Sequence, residues 1–224
     1  MKEKYNFEDL REIMRVLRSD GGCPWDREQT HKSIRNNFIE EVYEAVEAID
    51  EDNSELLKEE LGDTLLQIVF HAQISEEAGE FDIDGVCDEI CKKLIIRHPH
   101  IFSDVDIIDV DQVLSNWENI KIKEKGYADT REYIEGTAKS LPALMRAEKI
   151  QKRRIKRNVI EKPNIKDILK DIKKNIENLE NFEKNIDSET IGNILYDVAS
   201  LAGEYNINPE QALFDYNKKI IKII

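Results

Sequence analysis

Apolar side chains recur three and four residues apart through most of this chain, a spacing that puts them on one face of a helix and on both faces of a strand. Leu10, Ile13, Met14 and Leu17 predict a first helix over Phe7–Arg18, ended by Gly21-Gly22. Ile34, Phe38, Val42, Ala45 and Ile49 predict a second between Thr30 and Ala48, and Leu57, Leu61, Leu65, Ile68 and Ala72 a long third from Glu55 to about Ala78. Ser54 is placed to cap that third helix, and Gly62 within it lowers helix propensity where a close helix contact would explain it. Ile83–Arg97 follows, stopped by His98-Pro99, because proline disfavours helical geometry in the residue before it. The segment Cys23-Pro24-Trp25-Asp26 reads as a turn, 103–111 as an acidic loop and 126–142 as an irregular connector, with helices resuming over 113–125 and 143–157.

The order of these pieces repeats. Leu61-Gly62-Asp63-Thr64-Leu65-Leu66 has the apolar spacing of Ile191-Gly192-Asn193-Ile194-Leu195-Tyr196, and the stretch from Asp82 to Lys93 has that of Asn208 to Lys219. The copies differ in charge. Glu60 and Asp63 fall opposite Thr190 and Asn193, and Glu40 and Glu41 opposite Lys173 and Lys174, while Glu44 is matched by Glu177. The expected organisation is therefore all-α: a catalytic domain over 1–125, a linker with a basic helix over 126–160, and a degenerate copy over 161–224.

The acids kept by the first copy form the main candidate site. Glu41 and Glu44 are one turn apart on one expected helix, and Glu60 and Asp63 repeat that spacing on the next. Four carboxylates without histidine or cysteine make a hard oxygen donor set, suited to Mg²⁺ or Mn²⁺. The plain alternative is solvated helix acid, since 47 Asp and Glu against 33 Lys and Arg give a net charge of -14. That charge opposes duplex nucleic acid as a partner. A zinc site from Cys87, Cys91, His98 and His100 is conceivable, but the two thiols also fit an apolar helix face. Trp25 can anchor a corner or stack on a base. The bases Lys149, Lys152, Arg153, Arg154, Lys156 and Arg157 can be a solvated face, or can contact phosphate or another subunit.

Glu40-Glu41-x-x-Glu44 followed by Glu60-x-x-Asp63 resembles the signature of MazG-type enzymes in the all-helical nucleotide pyrophosphatase superfamily. Gly22-Cys23-Pro24-Trp25-Asp26, Arg97-His98-Pro99-His100-Ile101-Phe102 and Ser140-Leu141-Pro142-Ala143-Leu144-Met145-Arg146-Ala147 carry the same resemblance. It covers nearly the full chain and is specific up to about Arg154. It implies two tandem MazG-like helical bundles that dimerise to complete themselves, and Mg²⁺-dependent hydrolysis of nucleoside triphosphates between the α and β phosphates. Within that resemblance Glu41, Glu44, Glu60 and Asp63 are expected metal ligands, and Glu40 a further ligand or the base. Trp25, Lys93 and Arg97 are expected at the substrate, although the two cations of 83–97 also complement the helix dipole. A narrower action on dUTP or a phosphoribosyl-nucleotide, and a non-catalytic helical interaction protein, are the alternatives. No run is long enough to cross a membrane, Met1 to Phe7 lacks the apolar core of a secretory signal, and three cysteines make no disulfide framework, so a cytoplasmic protein is expected.

Overall fold

The computed structural model describes residues 2–103, 109–181 and 187–223, and every regular element among them is a helix. In chain order these are α1 (Phe7–Arg18), α2 (Pro24–Glu28), α3 (Arg35–Asp50), α4 (Ser54–Glu77), α5 (Ile83–Arg97), α6 (Pro99–Phe102), α7 (Val110–Lys125), α8 (Thr130–Glu135), α9 (Ala143–Lys156), α10 (Ile165–Asn181), α11 (Ser188–Glu204) and α12 (Pro209–Ile221). The expected acidic loop lies largely outside the described residues.

Asparagine or aspartate starts most of them. The side chains of Asn6, Asn53, Asp82, Asp109, Asp129, Asn164, Asp187 and Asn208 each accept a hydrogen bond from a backbone N–H of the first turn that follows, supplying an acceptor to a donor with no partner inside the helix. Asn53, one residue before the expected Ser54, is the cap of α4. The expected turn at 23–26 is instead the short helix α2, with Pro24 in its first turn where no N–H is needed. Likewise α8 lies inside the expected connector, capped by Asp129.

The chain divides into two compact units, 1–117 and 118–224. In the first, α4 is the central element: α1, α3 and α5 each pack on it. Met14, Ile34, Val69, Phe70, Ala72 and Ile83 form its buried core, flanked by Leu10, Leu66, Ile68, Ile74 and Val86. Arg18 ties α1 to this core. Its side chain is 5% exposed, and the guanidinium grips Glu77 of α4 through bonds of 2.9 and 2.7 Å, donates to the carbonyls of Asp26 and Gln29, and lies 5.3 Å from the Phe70 ring centre. Gly22 closes the turn after α1, where a side chain would collide with the Leu17 and Val16 carbonyls.

The expected apolar stripes are only partly buried. Ile34 and Ala45 of the α3 set are inside, whereas Val42 and Ile49 are 43% and 57% exposed; on α4, Ala72 is buried and Leu61 is 54% exposed. Gly62 meets nothing within 4 Å at the position a Cβ would take, so the close contact expected of it is not made within this unit.

In the second unit α11 takes the central place, with α9, α10 and α12 packing on it. Ile168, Ala199 and Ser200 are buried there, as are Tyr133, Thr137 and Gln151 from 130–151, where the linker was expected. No helix among the described residues is long and apolar enough to cross a membrane.

Candidate metal centre

Three residues, 51–53, connect α3 to α4, with Asp52 in the left-handed region at φ 52. So short a connection turns α4 back along α3 and sets their acids side by side. Glu41 of α3 and Glu60 and Asp63 of α4 each offer a carboxylate oxygen, and all three oxygens lie within 4.8 Å of one another. All three side chains are half-buried. Among the described residues this is the one group of three or more such side chains close enough to hold an ion.

Charge around the group is of one sign. Burial, then the charges of Asp63 and Glu44, a hydrogen bond with Glu44 and the charge of Glu60 hold the Glu41 carboxyl above the ordinary carboxylate range. Glu60 is raised by burial, then by Glu44, Asp63 and Glu59. Glu44 is thus part of the same electrostatic cluster, although it is exposed and stands outside the compact three. Glu40, the residue before Glu41, is exposed and is not one of the three. The donors are all oxygen, and the group repels itself until positive charge is supplied. That is the chemistry a hard divalent cation matches.

The remaining expected residues are carried by α2 and α5. Trp25, on α2, is 57% exposed. Lys93 pairs with Glu89 at 2.5 Å on its own helix, and the Arg97 guanidinium lies 5.4 Å from the ring centre of Trp117. Cys87 and Cys91 are exposed on α5, His98 Nδ1 is 2.6 Å from the Leu94 carbonyl, and no metal-sized group gathers them among the described residues.

A polar run continuing from the acids along α4 was not anticipated. Glu60, Asp63, Gln67, His71 and Ser75 follow at three- and four-residue spacing, which puts them on one face. Gln67 is 7% exposed with its Oε1 unpartnered. His71 shares a 2.8 Å Nδ1 to Nδ1 hydrogen bond with His31, whose Nε2 is 3.2 Å from Ser75 Oγ. Burial, then His31, lowers the pKa of His71. The spacing along α4 was readable, but the partner, 40 residues away in the chain, was not.

The model of the MazG nucleotide pyrophosphohydrolase domain matches residues 29–102, which contain all three clustered acids. A nucleoside triphosphate pyrophosphohydrolase/pyrophosphatase MazG of Thermotoga maritima is 41% identical over 226 aligned positions, covering 96% of this chain and 83% of that protein. A nucleoside triphosphate pyrophosphohydrolase of Escherichia coli K12 is 45% identical over 142, covering 63% of this chain and 54% of its own. An uncharacterized Bacillus subtilis protein, YabN, is 48% identical over 148 residues. The chain spans only 30% of that last relative's length.

Proposed function

From the premise that the chain belongs to the MazG nucleotide pyrophosphohydrolase family, we propose that its first unit hydrolyses nucleoside triphosphates between the α and β phosphates, giving a monophosphate and pyrophosphate. The observation that carries this reading is the set of three carboxylate oxygens, from two helices, within 4.8 Å of one another. An all-oxygen donor set favours Mg²⁺, with Mn²⁺ as a substitute, and Glu41, Glu60 and Asp63 would hold the ion with Glu44 beside them. When bound, the ion supplies positive charge to the phosphate oxygens and a lower pKa to water.

The chain's own groups do the rest. Glu40 takes the proton of the attacking water as its oxygen bonds to phosphorus, while the bridging P–O bond breaks and pyrophosphate leaves with the electron pair. Lys93 and Arg97 receive the leaving charge once Lys93 exchanges Glu89 for phosphate. The exposed ring of Trp25 is free to stack on a base.

Further parts of the reading rest on packing. Val42, Tyr43, Val46 and Ile49 of α3 and Leu61 and Leu65 of α4 are exposed apolar side chains beside the acids, which supports a homodimer that covers them. In the second unit α9, α10 and α12 meet α11 as α1, α3 and α5 meet α4, which supports a tandem, degenerate second bundle. The biological setting is cytoplasmic housekeeping of the nucleotide pool. A panel of nucleoside triphosphates, dUTP included, assayed for pyrophosphate release with Mg²⁺ and with chelator tests the activity. Glu41→Ala and Asp63→Ala abolish turnover with helix content unchanged; turnover that survives both would end the reading, and release from dUTP alone would narrow it.

A further inference from the structure

The basic run of α9 has no part in the site above, and in the second unit it lines a cavity of ≈ 500 Å³. Lys149, Lys152, Arg153 and Lys156 of α9 form one side, and Lys121 and Lys125 of α7 another. A single acid, Glu118, lines the same space. That carboxylate is already engaged: it accepts from the Tyr133 hydroxyl at 3.1 Å and lies 3.8 Å from Lys121. Lys152 turns to Glu148 at 2.5 Å, and Arg153 donates to the Tyr133 carbonyl. Lys125, Lys149 and Lys156 make no ion pair among the described residues. Burial lowers the pKa of Lys156, and the charges of Arg157 and Lys121 lower it further against the opposing pull of Glu118.

Such a surplus of like charge in a concave space is costly unless an anion offsets it. A second observation is independent of charge. Thr137 lines the cavity, is 2% exposed, and its Oγ1 has no hydrogen-bond partner. A buried hydroxyl without a protein partner is uncommon, and it leaves this wall of the cavity short of a polar partner. The wall is also built around aromatic rings. Tyr133 is held by the guanidinium groups of Arg153 and Arg157, 4.7 and 4.8 Å from its ring centre. Tyr127 lies against Gly136, where a Cβ would come within 2.7 Å of its hydroxyl.

We infer that this cavity binds a nucleoside polyphosphate, its phosphates held directly by the α9 and α7 lysines and its base against Tyr127. The volume lies in the range of small-molecule sites, and the number of converging cations fits more than one phosphate. The chain's net charge of -14 disfavours a long polyanion here. Among the described residues Glu118 is the single acid lining the cavity and no acidic cluster accompanies it, so binding is independent of metal and is not itself catalytic. The inference is also independent of the hydrolytic reading of the first unit.

Calorimetry on the full chain in excess EDTA tests it, with ATP, AMP, inorganic pyrophosphate and a short single-stranded oligonucleotide as probes. ATP should bind saturably and weaken with salt, with AMP and pyrophosphate each about tenfold weaker. Lys149→Ala with Lys156→Ala should cost on the order of a hundredfold, and Lys149→Arg with Lys156→Arg should retain binding, since the charge and donors are kept. Glu41→Ala with Asp63→Ala should leave ATP binding in EDTA as it was, which separates this site from the acidic one. Absence of saturable ATP binding, indifference to the double alanine variant, or an oligonucleotide binding more tightly than ATP would each overturn it. Pyrophosphate binding as tightly as ATP would remove the nucleoside from the proposal.

Discussion

Replacing Asp63 by asparagine should stabilise the metal-free protein and destabilise it relative to wild type once Mg²⁺ is added. The carboxylate oxygens of Asp63 and Glu41 lie within 4.8 Å, so at the dielectric of water their repulsion is about 0.9 kcal/mol. Physiological salt reduces that to about 0.5 kcal/mol, and partial burial acts in the other direction. The asparagine side chain is nearly isosteric and removes the charge, so a gain of about 0.5–1 kcal/mol is expected in EDTA, a rise of about 1–3 °C in a chain of this size. Mg²⁺ at a hundred times its dissociation constant would add about 2.7 kcal/mol to the wild type. A variant whose affinity is ten times weaker would gain about 1.4 kcal/mol less, and the order of the two melting curves reverses. Differential scanning calorimetry of both proteins, in EDTA and in Mg²⁺, reads this directly. A variant that melts below wild type in EDTA, or one that Mg²⁺ raises by as much as wild type, would refute the argument that these acids await a cation.

Arg18→Ala removes the donor to two backbone carbonyls, the Glu77 pair and the contact with Phe70; because Glu77 is 38% exposed the pair itself counts little, and a loss of about 2–3 kcal/mol is expected in urea titration. Gly22→Ala places a Cβ 2.2 Å from the Leu17 carbonyl oxygen, a backbone atom that cannot swing aside, and should cost at least about 3 kcal/mol by the same measurement. Gly62→Ala, with open space around its Cβ, should stabilise by about 0.8–1 kcal/mol if only helix propensity acts; a loss instead would reveal a partner surface on that face of α4. Acidification should remove two contributions to the fold in separate stages, while the raised Glu41 and Glu60 act in the opposite direction. The His71 pKa lies below 6.5 in the folded chain, so stability falls as pH drops below 6.5 and the unfolded state takes up its proton first. The Glu77 pKa is held below 4.5 chiefly by Arg18, so its contribution is present above 4.5 and disappears as pH falls through the folded value. His71→Gln should abolish the first stage of a stability-against-pH profile and leave the second.

Helices of several turns were readable because each carries enough periods to betray its face. The bounds Phe7–Arg18 and Ile83–Arg97 followed from apolar spacing together with Gly21-Gly22 and His98-Pro99. The short helices α2 and α8 were not, since 5 and 6 residues barely exceed one period and their Pro and Gly neighbours read as turns. The α4 cap went to Asn53 rather than Ser54 because either side chain can serve and sequence alone does not fix the phase. Of the four acids expected from one spacing repeated on two adjoining helices, Glu41, Glu60 and Asp63 come together, whereas Glu44 stands outside because spacing alone does not fix which way a side chain on a helix edge turns. What lay hidden depends on contacts distant in sequence: His31 with His71, Arg18 with Glu77, and the three stretches of chain that enclose the basic cavity. The exposure of Val42, Ile49 and Leu61 was hidden for another reason: periodicity reports which residues share a face and not what covers it.

The asparagines at helix starts bear on how this protein ages. Asn6, Asn53, Asn164 and Asn208 each offer a side-chain carbonyl oxygen to the turn they begin. Deamidation, the slow hydrolysis that damages asparagine in old or heated protein, turns that group into a carboxylate. Aspartate caps a helix as well as asparagine does and adds negative charge at the positive end of its dipole. At these four positions, conversion to aspartate would leave the scaffold's hydrogen bonds in place, so a shift toward a more acidic isoelectric point on storage would not by itself signal lost structure.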